Sequence, residues 1–311
     1  MKHPSLEGII ANDHRAMSRV ISQIEFDDSL SDEFFIEMND HSNSALRLGI
    51  TGPPGAGKST LTDQLIQKFL GDKRSVGVVA VDPTSPFTGG ALLGDRVRMN
   101  RYMWEENVFI RSMGSHGDLG GLAKKAQDVG DVLAASGKDV IIFETVGVGQ
   151  GEHDVAKAVD VTIVVLVPES GDEIQLMKAG LIEIADLFII NKADRDGAQR
   201  LAQLLQNMLH TSSHADKLEP PVFTTVASDG TGIDELFSGI NDHLKKMEEN
   251  GDLDIKKLDR HRSRIRGLIQ DRLLNDFWTS EKIDALNKKT DSINSIKASP
   301  YQLYNDLLND G

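Results

Sequence analysis

Seven short runs of aliphatic and β-branched residues constrain this chain more than any other feature. They read ALRLGIT, SVGVVAVD, NVFIRS, DVIIFET, VTIVVLV, LFIIN and PVFTTVA. Each is almost continuously apolar, whereas a strand with one wet face would alternate. Such strands are buried on both faces, as in a parallel sheet. Stretches of helical period separate them, at residues 58–70, 122–135, 174–184, 198–209 and 233–248. Strand alternating with helix predicts an α/β fold, a doubly wound and mostly parallel sheet spanning residues 45–250.

Two helical segments flank it. In residues 1–44, Leu6, Ile9, Ile10, Met17, Val20, Ile21 and Ile24 recur at three- and four-residue steps. In residues 251–311, Ile265, Ile269, Leu273 and Phe277 step by four beside Leu268, and ASPYQLYNDLLN reads as a further helix opened by Ser-Pro. Periodicity alone fits two arrangements of this arm: packing on the α/β domain, or joining two chains.

Composition removes several functions. With 311 residues and a formal net charge of −14, the chain lacks the basic surface that nucleic acid requires. The absence of cysteine excludes disulfides, thiolate zinc sites and cysteine catalysis, and fits a reducing compartment. The start, MKHPSLEGIIANDHRAM, has no long apolar core, and VTIVVLV is far too short to span a bilayer. The expectation is a cytoplasmic protein that engages neither membrane nor nucleic acid.

The chemistry begins at ITGPPGAGKST. Gly52-x4-Gly57-Lys58-Ser59 follows an apolar strand and opens a helix, the setting of a phosphate-binding P-loop. Glycines let backbone N–H groups converge on phosphate oxygens, and the helix N-terminus adds partial positive charge. Gly55, Ala56, Gly57, Lys58, Ser59 and Thr60 form the expected cradle. Lys58 reaches the β- and γ-phosphates, and the Ser59 hydroxyl holds Mg²⁺.

The base is read from LFIINKAD. A strand ending in Asn191-Lys192-Ala193-Asp194 sets polar side chains at a carboxyl edge, where α/β ligands bind. Guanine presents two adjacent donors, N1–H and the 2-amino group, which one carboxylate accepts together; adenine has no such pair. Asp194 therefore selects guanine, Asn191 braces the loop and Lys192 lies along the base. Ala227, in TTVASDGTGIDEL, is placed to offer its N–H to the guanine 6-oxygen. Three acids are expected around the metal: Asp82 and Glu144 at strand ends, and Asp95 in a glycine-rich loop. Gly147 and Gly149, after Glu144, permit a loop that responds to the γ-phosphate. Glu144-Thr145-Val146-Gly147 stands where many G proteins carry DxxG with a following Gln. No water-positioning group is evident, so intrinsic hydrolysis is expected to be slow.

GPPGAGKST, VAVDPTSPFTGGALLGDRVRM, FETVGVGQGEHDVA, PESGDEIQLMKAGLIEIADLFIINKAD and GTGIDEL, in this order, resemble the MeaB/ArgK-type G proteins, relatives of the methylmalonic aciduria type A protein. The resemblance covers about residues 5–275. It implies a P-loop GTPase of the class that includes signal-recognition and nickel-insertion GTPases, using GTP/GDP and Mg²⁺. It implies a homodimer joined through C-terminal helices. It also implies a partner, an adenosylcobalamin-dependent acyl-CoA mutase such as methylmalonyl-CoA mutase, whose cofactor loading and protection the GTPase assists. Position by position, it assigns Lys58, Glu144 and Lys178 to hydrolysis, Ser59, Asp82, Asp95 and Glu144 to the metal, and Asn191, Lys192, Asp194 and Ala227 to the base. PESGDEIQLMK, with Asp172, Glu173 and Lys178, matches the additional switch that couples nucleotide state to the mutase. The chain departs from the family pattern at Gln150-Gly151-Glu152, Gln175-Leu176-Met177 and Val226-Ala227; the first two bear on partner coupling rather than on nucleotide binding. The alternative function is a P-loop kinase or ATPase linked to amino-acid transport, which the guanine reader argues against.

Overall fold

A computed structural model describes residues 4–26, 30–42, 45–82, 100–102, 104–114, 119–145, 156–168, 181–212, 218–293 and 299–309. All seven apolar runs are strands: β1 Leu46–Thr51, β2 Val76–Asp82, β3 Val108–Gly114, β4 Val140–Glu144, β5 Val161–Leu166, β6 Leu187–Asn191 and β7 Val222–Thr225. They form one all-parallel sheet in the order β3-β2-β4-β1-β5-β6-β7. The chain leaves β1 toward one side for β2 and β3, returns at β4, then continues to the other side with β5. This reversal puts β1 at the topological switch point, where open α/β sheets bind ligands at their carboxyl ends.

Preceding the sheet are α1 Pro4–Ile10, α2 His14–Phe26 and α3 Asp32–Asn39. Helix α4 is Lys58–Gly71 and α5 is Leu119–Ala135. Helix α6 is described over Leu181–Ile184, the end of the helix expected at 174–184. Helices α7 Ala198–Ser212 and α8 Ile233–Asn250 follow the expected spans to within three residues. Helices α9 Asp252–Phe277, α10 Ser280–Lys289 and α11 Pro300–Asn309 complete the chain.

Strand alternation sorts the core into two faces. Leu48, Ile50, Val78, Ile142, Ile163 and Ile189 pack against Leu61, Leu65 and Phe69 of α4 and Leu236 and Ile240 of α8. On the opposite face, Val79, Phe109, Ile141 and Phe143 meet α5 through Val129 and Leu133, and the N-terminal stripe of Leu6, Ile9, Met17, Val20 and Ile21 joins the same cluster. Further along that face, Val164, Phe188 and Ile190 meet Leu205 and Leu209 of α7. Burial on both faces explains why the strands read as continuous rather than alternating.

The amino edge of the sheet is closed by a repeated device. Asp139, Asp160 and Asp186 each immediately precede a strand, and each carboxylate accepts an N–H at the start of the neighbouring strand: Ser75 (2.7 Å), Arg47 (2.9 Å) and Thr162 (2.8 Å). Asp160 and Asp186 also pair with Arg260 and Lys256 on α9, and Arg47 pairs with Asp131 on α5. Burial lowers the pKa of the Arg260 guanidinium, with the nearby Arg47 charge acting in the same direction.

The chain divides into two compact units, Met1–Arg260 and His261–Gly311. The first holds the sheet and the N-terminal helices. In the second, Lys282 on α10 donates to the Leu307 carbonyl (3.1 Å) and lies over the Phe277 ring, while Ile265, Leu268, Ile269, Leu273, Tyr301 and Tyr304 are exposed. Among the described residues no helix is long and apolar enough to cross a membrane.

Candidate nucleotide site

At the carboxyl edge the polar ends of β1, β4 and β6 meet. From Thr51 the chain turns through residues 52–57 into α4. Two glycines make this turn possible. Gly52 has φ 139°, and a Cβ there would lie 2.0 Å from the Val165 carbonyl oxygen of the adjacent strand. Gly57 has φ 89°, and its Cβ would lie 2.3 Å from Asn191 Nδ2. Side chains are thus excluded where the loop rests on β5 and on the expected base reader. The first N–H groups of α4 remain at the helix end, where an anion is favoured.

Lys58, the first residue of α4, is buried and curls back over its loop, donating to the carbonyls of Gly52 (2.8 Å) and Pro53 (3.0 Å). Glu144, the last residue of β4, is buried beside it in the sheet, paired in register with Ile50. Its carboxylate accepts from Ser59 Oγ (2.5 Å) and Thr62 Oγ1 (2.9 Å). Ser59 and Glu144 therefore form a pair of hard oxygen donors, a fit for Mg²⁺. Among the described residues no group of three or more His, Cys, Asp or Glu could hold a metal. A magnesium ion at this pair would complete its shell with phosphate oxygens and water, its common habit. Asp82 ends β2 at the same edge. Asp95, Asp172, Glu173 and Lys178 lie outside the described residues, as do Gly147 and Gly149.

Asn191 ends β6 and links three elements. Its Nδ2 donates to the Ala56 carbonyl in the phosphate loop (2.8 Å); its Oδ1 accepts from Thr225 Oγ1 (3.1 Å) and from the Ala227 N–H (3.0 Å). The chain then turns sharply: Lys192 adopts φ 57°, uncommon for a side-chain-bearing residue, and Ala193 N–H donates to the Thr225 carbonyl (3.0 Å). Beyond this turn Asp194 is exposed to solvent, where a base edge has access. The structure thus gathers the phosphate loop, Glu144, Asn191 and Ala227 at one edge. Ala227 differs in detail from expectation: its N–H is engaged by Asn191, whose carboxamide turns Nδ2 to the phosphate loop and Oδ1 to residue 227. Thr62 and Gln64 are contributors that the sequence pattern did not single out. Thr62 lies three residues after Ser59, close to the same helix face, and that spacing is the one signal it offered.

The family model described as methylmalonyl Co-A mutase-associated GTPase MeaB matches residues 14–282. A Pyrococcus abyssi protein named as a GTPase is 42% identical over 308 residues, covering 97% of this chain and 94% of its own. The GTPase ArgK of Escherichia coli is 36% identical over 281 residues, covering 89% and 85%. Among solved structures, that of a protein named LAO/AO transport system kinase superposes with a TM-score of 0.74 at 26% identity, covering 98% of this chain and 96% of that one.

Proposed function

The chain belongs to the MeaB family of P-loop GTPases, and on that premise we propose that it is a guanine-nucleotide switch acting on an adenosylcobalamin-dependent acyl-CoA mutase. The observation that carries this reading is the family match over residues 14–282, which includes the phosphate loop, Asn191–Asp194 and α9. GTP is the substrate and water the acceptor. Lys58 leaves the carbonyls of Gly52 and Pro53 to meet the β- and γ-phosphates, while the α4 N-terminus and loop amides hold their oxygens. Ser59 and Glu144, with Asp82, would hold Mg²⁺, which would supply neutralisation of charge on the phosphate oxygens. Asp194 accepts the two guanine donors, and Asn191 keeps the base loop in step with the phosphate loop. Hydrolysis without a partner is slow. Nucleotide state then gates cofactor loading and protection of the mutase. The protein works in the cytoplasm as a homodimer, supported by the exposed stripe of Ile265, Leu268, Ile269 and Leu273 on α9.

The deciding experiment is capture of partners from native lysate on this protein charged with GDP or with a non-hydrolysable GTP analogue. Nucleotide-dependent capture of a cobalamin mutase supports the reading and names the acyl-CoA; capture of none, from a protein that hydrolyses GTP, overturns the partner. Likeness to the LAO/AO transport system kinase favours a second reading, a kinase. Transfer of γ-phosphate label from GTP to anything other than water would support it.

A further inference from the structure

Two hydroxyls of α4 reach the same carboxylate, and they answer to different demands. Ser59 and Thr62 lie three residues apart, close to one face of the helix, and donate to Glu144 Oε1 (2.5 Å) and Oε2 (2.9 Å). Ser59 belongs to the phosphate-loop pattern and is half-buried. Thr62 lies outside that pattern, deeper in the helix, and is fully buried. A hydroxyl has one proton to give, and Thr62 gives its proton to Glu144 rather than to a carbonyl of its own helix. The oxygen of Ser59 is assigned to the metal, so its position is set by the ion as well as by Glu144. The Thr62 hydroxyl has no such second assignment.

The backbone at Glu144 is already tied. Glu144 pairs in register with Ile50 on β1 and Ala80 on β2. Thr145 after it donates its N–H to the Ile50 carbonyl (3.0 Å), and the buried Thr145 and Thr51 hydroxyls hydrogen-bond each other (2.9 Å). With the strand end fixed, the freedom that remains belongs to the Glu144 side chain. Glutamate stands here where many G proteins carry the aspartate of DxxG, and its extra methylene adds a rotatable bond between backbone and carboxylate. Ordering a side chain of this length costs rotamer freedom, and a neighbour that orders it beforehand removes that cost from ligand binding.

We propose that Thr62 is a positioning residue for the magnesium site: its hydroxyl fixes the Glu144 carboxylate in advance of the ion and offsets the added flexibility of a glutamate at that strand end. The assignment rests on the magnesium reading above. It gives α4 two parts in the site, one through Ser59 at its first turn and one through Thr62 behind it.

The test is the binding of a fluorescent GTP analogue to the purified full chain, titrated with Mg²⁺ and measured separately in EDTA, in wild type, Thr62→Val, Thr62→Ala and Thr62→Ser. Valine keeps the shape and removes the hydroxyl; alanine removes the hydroxyl without placing a new methyl beside the carboxylate; serine keeps the hydroxyl. Thr62→Val should raise the Mg²⁺ concentration at half-maximal effect by about tenfold, the worth of one hydrogen bond, while affinity in EDTA moves by less than about twofold. Thr62→Ala should follow Thr62→Val, so the proposal stays testable if the valine variant fails to fold. Thr62→Ser should stay within about threefold of wild type, because the donor remains. An unchanged Mg²⁺ midpoint in the variants without a hydroxyl overturns the proposal. So do equal losses in Mg²⁺ and in EDTA, since Thr62 would then serve the fold or the phosphate loop, and so does a serine variant as impaired as the valine one. A wild type whose affinity does not respond to Mg²⁺ instead overturns the magnesium reading, and the proposal with it.

Discussion

The two edges of this sheet use the same kinds of side chain in opposite ways. At the amino edge, charge meets charge: Arg47 with Asp131, Asp160 with Arg260, Asp186 with Lys256. At the carboxyl edge, the contacts among the described residues include charge with dipole: Lys58 donates to loop carbonyls, Glu144 accepts from hydroxyls, and Asn191 bonds carbonyl, hydroxyl and amide. An ion pair removed from water is costly to break, because the remaining member is left buried and uncompensated. A hydrogen bond to a neutral dipole exchanges readily for a stronger one to a charged ligand. One edge is finished by the chain itself; on the proposed reading, a nucleotide completes the other.

Substitutions should separate the edges. The largest effect belongs to Lys58→Ala, which should weaken GTP binding by about a thousandfold, the loss of charge-assisted contacts to two phosphates, while leaving the nucleotide-free melting temperature nearly unchanged. Titration with a fluorescent GTP analogue alongside calorimetry measures both. Asp160→Ala should do the reverse. Its carboxylate is fully buried and serves both Arg47 N–H and Arg260, so urea unfolding should report a loss of about 3 kcal/mol. The GDP affinity of the folded fraction should not move. If it does, the edges are coupled and the contrast is too simple.

Asp194→Asn should reduce GTP affinity by about a hundredfold, the value of paired hydrogen bonds to an ionised acceptor, and raise affinity for the xanthine nucleotide. Unchanged GTP affinity would remove Asp194 from the base. The smallest effect concerns Lys138, the cation of the amino edge whose hydrogen bond goes to a carbonyl, that of Glu106 (3.0 Å). Burial pushes its pKa down to about 8, against smaller raising effects from Asp139 and Glu105. Since the unfolded chain holds this proton more tightly than the folded one, stability should rise as pH climbs from about 8 toward 10, by about 1 kcal/mol after allowance for screening. In Lys138→Met that rise should vanish, which unfolding curves across the range would show.

The carboxyl edge was far more legible in the sequence than the amino edge. Phosphate and base recognition demand fixed residue types at fixed offsets from a strand end, so Lys58, Ser59, Glu144 and Asn191 stood out as candidates, and the fold brings them to one edge. The strands were equally plain, because burial on both faces suppresses alternation. The amino edge obeys a looser grammar. An aspartate directly before an apolar run occurs at Asp139, Asp160 and Asp186, yet any loop acid reads the same until the neighbouring strand start is known. Likewise the N-terminal stripe of Leu6, Ile9 and Met17 announced an apolar face without naming α5's cluster as its partner, since periodicity fixes a helix face and not what covers it. Gln64 and Thr62 escaped for the same reason: their partners are 163 and 82 residues away in sequence.

Asn191 has a consequence for how a nucleotide arrives. One carboxamide grips the phosphate loop with Nδ2 and the base loop with Oδ1, so both loops depend on a single rotamer. On the proposed reading, a nucleotide docked at one loop meets the other already held in place by this carboxamide, and the second contact forms at high effective concentration. The proposed site is in this sense a chelator of nucleotides. Guanosine and pyrophosphate offered as separate molecules should each bind far more weakly than their covalent union, and neither should gain the full benefit of the other's presence.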